Sequence, residues 1–328
     1  MKKYLMLILA AMISIVIVAC GNESTEKSED SGSKESSETA KEGEDKKSGE
    51  GELEKLRVQF VPSQNADTLE AKAKPLEKLL KEELGIDAEV SVSTNYNTIV
   101  EAMKSEKVDV GFLPPSAYTL AKEQGAAEVL LQAQRYGVSD DGSPTEELVD
   151  FYKSQFIVKK DSDIKDLKDM KGKKIALQDT TSTAGYVYPV AELKEAGIDV
   201  LKDMEPVTVK GHDQAVMAVL NDDVDVAVTF QDARNIVKED APEVFEKTEI
   251  VKLTEKIPND TISVRPGVSD DMKKKITEAF INIGKDEEGQ KIIKDVYSHE
   301  GYIESEDSNF DVVRDYYKKV DPENKEKE

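Results

Sequence analysis

From Leu53 onward the chain alternates between strand-like and helix-like hydrophobic patterns. "LRVQFVP" reads as a strand. "ADTLEAKAKPLEKLLKEELG" predicts one helix, with Leu76, Leu79 and Leu80 on a common face and Gly85 as its stop. The strand "AEVSVS", the helix "YNTIVEAMKSEK", the buried strand "VDVGFL" and the helix "SAYTLAKEQG" follow. The order then recurs as strand "KKIALQD", helix "PVAELKEAG", strand "MEPVTVK", helix "HDQAVMAVLNDD" and strand "VDVAVTF". Such alternation predicts an α/β fold with mostly parallel sheets. The echo also keeps register. Tyr96 stands thirteen residues before Asp109 and His212 thirteen before Asp225, an offset of 116 in both cases. Any two βαβ units look alike, but identical spacing across helix, turn and strand favours a structural duplication.

Two lobes of this plan predict a ligand cleft between them, because open α/β sheets bind beyond the carboxyl ends of their strands, near helix N-termini. Positions after Phe60, before Ile99, after Leu113, after Leu177, at His212 and after Phe230 are expected to face it. The helical segments "KKKITEAFINIGKDEEGQKIIKDVY" and "DVVRDYYKKV" are expected to return to the first lobe, with crossings near Lys153–Ile157 and Ile257–Ile262. The first lobe is thus expected to comprise residues 53–156 and 258–328, and the second residues 157–257.

The residues ahead of Leu53 bear on location. Lys2-Lys3 precede "YLMLILAAMISIVIVA", an apolar run of about 16 residues, short for a membrane span of roughly 20. It ends in Ile17-Val18-Ala19-Cys20, which resembles a bacterial lipobox. That resemblance implies a signal peptide over residues 1–19 and a lipoprotein acylated on Cys20; an uncleaved anchor is the alternative. Either way the remainder is expected on the outer face of the cytoplasmic membrane. Residues 20–52 carry no aromatic and almost no aliphatic side chain, so they cannot bury enough surface to offset the entropy of ordering, and they read as a disordered acidic stalk. Lys+Arg 45 against Asp+Glu 68 gives a formal net charge of −23, which repels nucleic acid. Cys20 is the single cysteine and His212 and His299 the two histidines, so neither an intramolecular disulfide nor a Cys/His metal site is expected.

The stretch "QDTTSTAGYVYP" places Thr181, Ser182 and Thr183 directly after the strand Ile175-Ala176-Leu177. A helix N-terminus has free N–H groups and partial positive charge, so it suits an anion, and first-turn hydroxyls add donors. Ser182 and Thr183 supply these, Ala184-Gly185 leave room for close approach, and Pro189 starts a second helical stretch. Tyr96 and His212 occupy matched helix starts, and Tyr152 lies at the first crossing. Asp232 and Asp260 follow the strand "VAVTF" and the proline of "KIPND". At cleft positions they make sense if the ligand carries a cation some distance from its anionic group. Singly, each residue also has an ordinary reading: helix cap, core aromatic or solvated surface carboxylate. No nucleophile triad or phosphate-binding glycine loop is present, and His212 is the sole plausible base, so the chain is not expected to be an enzyme or to need a cofactor. A surface adhesin would have no use for paired cleft donors.

Over nearly all of Leu53 to Tyr317 the chain resembles the phosphonate- and phosphite-binding proteins of ABC importers. The resemblance rests on "NYNTIVEAMKSEKVDVGFLPPSAY", "QAQRYG", "STAGYVYPVAELKEAGID", "KGHDQAVMAVLNDDVDVA" and "IPNDTISVR". It implies a two-lobe periplasmic-binding-protein-like fold of type II, a monomer, an ABC permease as partner and a phosphonate held in the cleft. By position, Ser182 and Thr183 match the first two members of the family's Ser-Thr-Ser run, Tyr96 and Tyr152 its two tyrosines, and His212 its histidine. Asp232 and Asp260 match the acidic pair that holds the ammonium of 2-aminoethylphosphonate, with Asp232 standing where a glutamate is familiar. Ala184 stands where the third hydroxyl would be and keeps only its backbone N–H. Phosphite, methylphosphonate, phosphate and sulfate are the alternative ligands.

Overall fold

The computed structural model describes residues 53–139 and 142–320. The expected signal peptide, Cys20 and the acidic stalk lie outside these residues. Among the described residues no helix is long and apolar enough to cross a membrane. The chain runs through β1 (Lys55–Phe60), α1 (Ala66–Ala73), α2 (Leu76–Leu84), β2 (Asp87–Val92), α3 (Tyr96–Lys104), β3 (Val110–Leu113), α4 (Pro115–Glu123) and a hairpin of β4 (Glu128–Val138) and β5 (Pro144–Val149). After β6 (Phe151–Tyr152) come β7 (Ser154–Lys159), β8 (Lys174–Leu177), α5 (Tyr188–Glu195), α6 (Val200–Asp203), β9 (Glu205–Thr208), α7 (His212–Leu220), β10 (Val226–Phe230), α8 (Val244–Lys247) and β11 (Thr248–Leu253). The last part comprises β12 (Ile257–Pro258), β13 (Thr261–Val264), α9 (Asp270–Ile283), α10 (Glu287–Tyr297), β14 (Gly301–Glu304) and α11 (Asp311–Val320).

Two sheets organise these elements. The first has the order β14-β4-β13-β3-β1-β2, with β5 paired to β4; the second has the order β11-β7-β10-β8-β9. The strands separated by crossover helices are parallel, as the alternation predicts: β1 with β2 and β3, and β8 with β9 and β10. Both sheets are nevertheless mixed. β13 arrives from the second lobe and inserts antiparallel between β3 and β4, and β7 arrives from the first lobe and inserts antiparallel between β10 and β11. Neither follows its sheet neighbour through a crossover helix, so nothing constrains it to be parallel.

Each sheet is covered on two faces. Leu56, Val58, Phe60, Val110 and Phe112 pack with Met272, Ile276, Phe280 and Ile293 of α9 and α10, and Phe60 stacks on Phe112 at 4.1 Å. In the second lobe Phe156 and Val158 of β7 enter one core while Ile157 enters the other, the period-2 alternation of a strand buried on both sides. The single helix expected over residues 66–84 is two, because Pro75 lacks an N–H and its ring clashes with the preceding turn. Leu76, Leu79 and Leu80 still face the core.

The register echo has a visible cause. Asp109 Oδ2 accepts from Arg57 N at 2.9 Å, and Asp109 N donates to Arg57 O at 2.9 Å. Asp225 repeats both bonds with Lys174, at 2.8 and 3.0 Å. Glu106 and Asp222, again 116 apart, both end a helix in the left-handed region, with φ 59° and 63°.

The lobes are joined where β6 and β12 pair, with Ile257 opposite Tyr152 and Pro258 opposite Phe151. β7 lies wholly in the second sheet, so the handover precedes Ser154 rather than falling after residue 156. α9 and α10 return to the first lobe. α11 instead bridges both: Val313 and Tyr316 share one core with Tyr118 of α4 and Ala191 of α5, and Tyr316 stacks on Tyr188 at 3.8 Å.

Candidate functional site

A cavity of about 410 Å³ lies between the two sheets. Tyr96, Tyr152, Ser182, Thr183, Ala184, His212, Asp232 and Asp260 all line it, together with Val61, Ser63, Gln64 and Pro114. The reason is topological. The strands β1, β3, β8 and β10 deliver their carboxyl ends here, and α3, α4, the helical turn Thr183–Val187 and α7 begin here. Four helix starts therefore aim partial positive charge at one space, although some first-turn N–H groups are already bonded: Thr98 N to Asn95 Oδ1, Ser116 N to Thr183 Oγ1, Gly185 N to Ser182 Oγ and His212 N to Ser63 O. A chain with a net charge of −23 can still direct partial positive charge at one side of a cavity in this way.

The hydroxyl run divides its labour. Thr181 serves its own turn, with N–H and hydroxyl both bonded to Asp179 Oδ1 at 3.0 and 2.7 Å. Ser182 caps the helical turn by accepting from Gly185 N at 3.1 Å, and its hydroxyl donates to Gln178 Oε1 at 3.4 Å. Thr183 Oγ1 accepts from Ser116 N of α4, in the opposite lobe, at 2.9 Å. Its hydrogen remains to be donated. Ala184 contributes an amide at the first turn, where no intrahelical acceptor exists, while its carbonyl accepts from Ser154 Oγ at 2.6 Å. The first stretch is a π-type turn, and α5 starts beyond it with Pro189 in its first turn. Gly185 is small for a different reason from the one expected. A Cβ there would lie 1.8 Å from Gln178 Oε1, so the glycine makes room for the buried amide that positions Ser182.

The Tyr96 hydroxyl reaches Ser182 across the cleft, and that of Tyr152 reaches Thr183. Burial pushes both phenols well above the ordinary tyrosine range, so both remain protonated donors at neutral pH. His212 spends its backbone N–H on Ser63 O of the first lobe at 2.9 Å, which leaves only its ring to offer. Its Nδ1 lies 2.7 Å from Thr229 Oγ1. Burial drives its pKa down to about 3, so the ring is neutral in the empty cleft and carries one N–H. An anion placed beside it would raise that value.

The acidic residues differ from expectation. Asp232 does reach the cavity wall, but Arg135 Nη2 of the first lobe holds its Oδ2 at 2.5 Å. The carboxylate is therefore half engaged: its Oδ1 has no hydrogen-bond partner. The helix–strand alternation did not reveal the β4–β5 hairpin that brings Arg135 across the cleft. Asp260 is more accessible; its Oδ2 lies 3.8 Å from His299 Nε2, and burial holds the His299 pKa down. Tyr297 and Ser298 also line the cavity and were not foreseen, because they sit at the end of an amphipathic helix whose pattern signals only packing. Gln178 was not singled out either, being 2% exposed at the end of an apolar strand.

Two lobes meeting around a cavity walled by helix starts, with donors from both sides, define a solute receptor built for an oxyanion. The chain belongs to the family of periplasmic substrate-binding proteins of phosphonate ABC transporters, whose sequence model matches residues 58–310. This is a family of transport receptors, not of enzymes. A phosphate-import protein of Mycolicibacterium smegmatis is 33% identical over 189 residues, covering 55% of this chain and 56% of that protein. A phosphonates-binding periplasmic protein of Escherichia coli is 26% identical over 243 residues, 73% of this chain and 69% of that one. The match therefore spans little more than half of the mycobacterial relative. The two-lobe fold is shared with the binding component of a Pseudomonas aeruginosa ABC phosphonate transporter, with TM-score 0.70, 22% identity, and 81% of this chain and 86% of that chain covered.

Proposed function

We propose that this chain takes a phosphonate into the interlobe cleft and presents the closed form to an ABC permease, acting as a monomer tethered outside the cell membrane through a lipid on Cys20. One observation carries the reading: Ser182, Thr183, the Ala184 amide, Tyr96, Tyr152 and the neutral His212 converge on one cavity at four helix starts. These are donors, Ser182 once its hydroxyl turns from Gln178, and a tetrahedral oxyanion needs several at once. The second lobe offers Thr183, the Ala184 amide and His212 first, and Ser182 joins them by exchanging its long bond to Gln178 for one to the anion. Tyr96 and Tyr152 then reach the same anion as the lobes rotate about the β6–β12 crossing.

A cavity of 410 Å³ leaves room for a tail beyond the tetrahedral head. Asp260, the more accessible carboxylate, favours an ammonium tail, with 2-aminoethylphosphonate as the probe. A second reading, a small oxyanion with an uncharged tail or none, is favoured by the pairing of Asp232 with Arg135. The name of the mycobacterial relative places inorganic phosphate among the ligands to test. Isothermal titration of the detergent-solubilised chain with methylphosphonate, 2-aminoethylphosphonate, phosphite, phosphate and sulfate is the experiment. Binding of at least one phosphonate with Kd below about 1 mM is expected. No heat with any phosphonate or phosphite rejects the reading, and a sole response to phosphate or sulfate moves it to another oxyanion.

A further inference from the structure

We propose that Arg135 decides which ligand tails the cleft accepts, by occupying Asp232 from the opposite lobe and so denying that carboxylate to a cationic tail. The inference rests on the phosphonate reading and specifies its ligand further. Arg135 stands on β4 of the first sheet, and Asp232 follows β10 of the second. Their side chains are only 7% and 11% exposed, and the 2.5 Å contact spans the cleft. The guanidinium is also flanked by the rings of Tyr152 and Phe230, at 5.9 and 5.8 Å. The hairpin that carries it is fastened to the second lobe beside the pair: Gln231 Nε2 donates to Val138 O at 2.9 Å and Asn235 Nδ2 to Gly142 O at 2.8 Å. Arg135 is thus a protein-supplied cation at the place where a ligand ammonium would have to sit.

Asp232 Oδ1 has no partner, but a guanidinium does not lose its charge, so a ligand ammonium reaching that oxygen would meet a second cation in a buried space. Expelling Arg135 instead would leave an unpaired buried cation between the lobes, which is costly. The pair therefore acts as a repulsive element against cationic tails and is indifferent to uncharged ones.

The test compares 2-aminoethylphosphonate with n-propylphosphonate, which have tails of equal length ending in ammonium and methyl. Both are titrated by calorimetry into the full chain, and the ratio of the two Kd values is read. A merely structural role for Arg135 would weaken both ligands alike and leave the ratio unmoved. In the wild type the ammonium ligand is expected to bind no more tightly than the propyl one. R135Q should shift the ratio toward the ammonium ligand by on the order of tenfold. R135Q/D232N, with both charges gone, should return it to the wild-type value. A wild type that prefers the ammonium ligand tenfold or more overturns the proposal even if R135Q fails to fold. So does an R135Q ratio equal to that of the wild type. Binding of neither ligand by the wild type overturns this proposal, and the phosphonate reading falls with it only if methylphosphonate and phosphite also give no heat, an outcome distinct from binding with an unmoved ratio.

Discussion

Replacing Thr183 by valine removes one hydroxyl from the cleft while nearly conserving volume. Thr183 is 1% exposed and Ser116 is fully buried, and Thr183 Oγ1 accepts from Ser116 N at 2.9 Å. With the oxygen serving as acceptor to the first lobe, its hydrogen is free for a ligand oxyanion in the same cavity. A hydrogen bond to a charged group contributes about 1.5–3 kcal/mol, which corresponds to roughly 10- to 150-fold in Kd. Valine also strands the Ser116 N–H in the closed form, where an unsatisfied buried donor costs about 1–3 kcal/mol. Both effects oppose ligand-driven closure, so T183V should bind methylphosphonate at least about tenfold more weakly by isothermal titration. T183S keeps the hydroxyl and should stay close to the wild type. If T183V binds within threefold of the wild type, or T183S falls as far as T183V, then this hydroxyl neither grips the ligand nor joins the lobes, and the proposed site is wrong at its centre.

Three further outcomes are expected. His212 has its pKa depressed to about 3 from the ordinary 6.5, so the folded chain refuses a proton that the unfolded chain takes up. Its contribution to stability is intact above pH 6.5 and is lost as pH falls toward 3, by about 2 kcal/mol between pH 7 and pH 5. H212Q should remove that part of the slope in ligand-free denaturation, and an unchanged pH profile would reject a buried neutral imidazole. G185A puts a methyl 1.8 Å from Gln178 Oε1 and 2.8 Å from Ser182 Oγ, so it should cost about 1–3 kcal/mol in denaturant midpoint and weaken ligand binding. Unchanged stability and Kd would dismiss Gln178 as the support of Ser182. A184S restores a third hydroxyl at the helical turn and should tighten phosphonate binding by roughly tenfold; an unchanged Kd would mean that the anion does not touch residue 184.

Much of the framework was legible because it is written in short-range periodicity. The helix faces of Leu76, Leu79 and Leu80, the strand "VDVAVTF" and the start positions of Tyr96 and His212 follow from residues within one or two turns of each other. The constant offset of 116 was also readable, since the aspartates that close each βαβ unit bond to strands at fixed distances along the chain. The break at Pro75 was missed because the apolar stripe continues through it. The β4–β5 hairpin was missed because it lies outside the strand–helix alternation and carries much polar, exposed surface.

Sequence by itself determined an alternating two-part α/β chain, its anion-suited turn after Leu177, and the candidate donors at its helix starts. Tertiary structure alone decided which charges cancel. Arg135 and Asp232 are 97 positions apart, and neither carries a local mark that it will meet the other. The same holds for Ser116 and Thr183, 67 apart, and for Gln64 and Val296, 232 apart. Periodicity reports only how a segment presents its faces. The electrostatics of a cleft depend on distances through space, and those exist only once two lobes have folded and met.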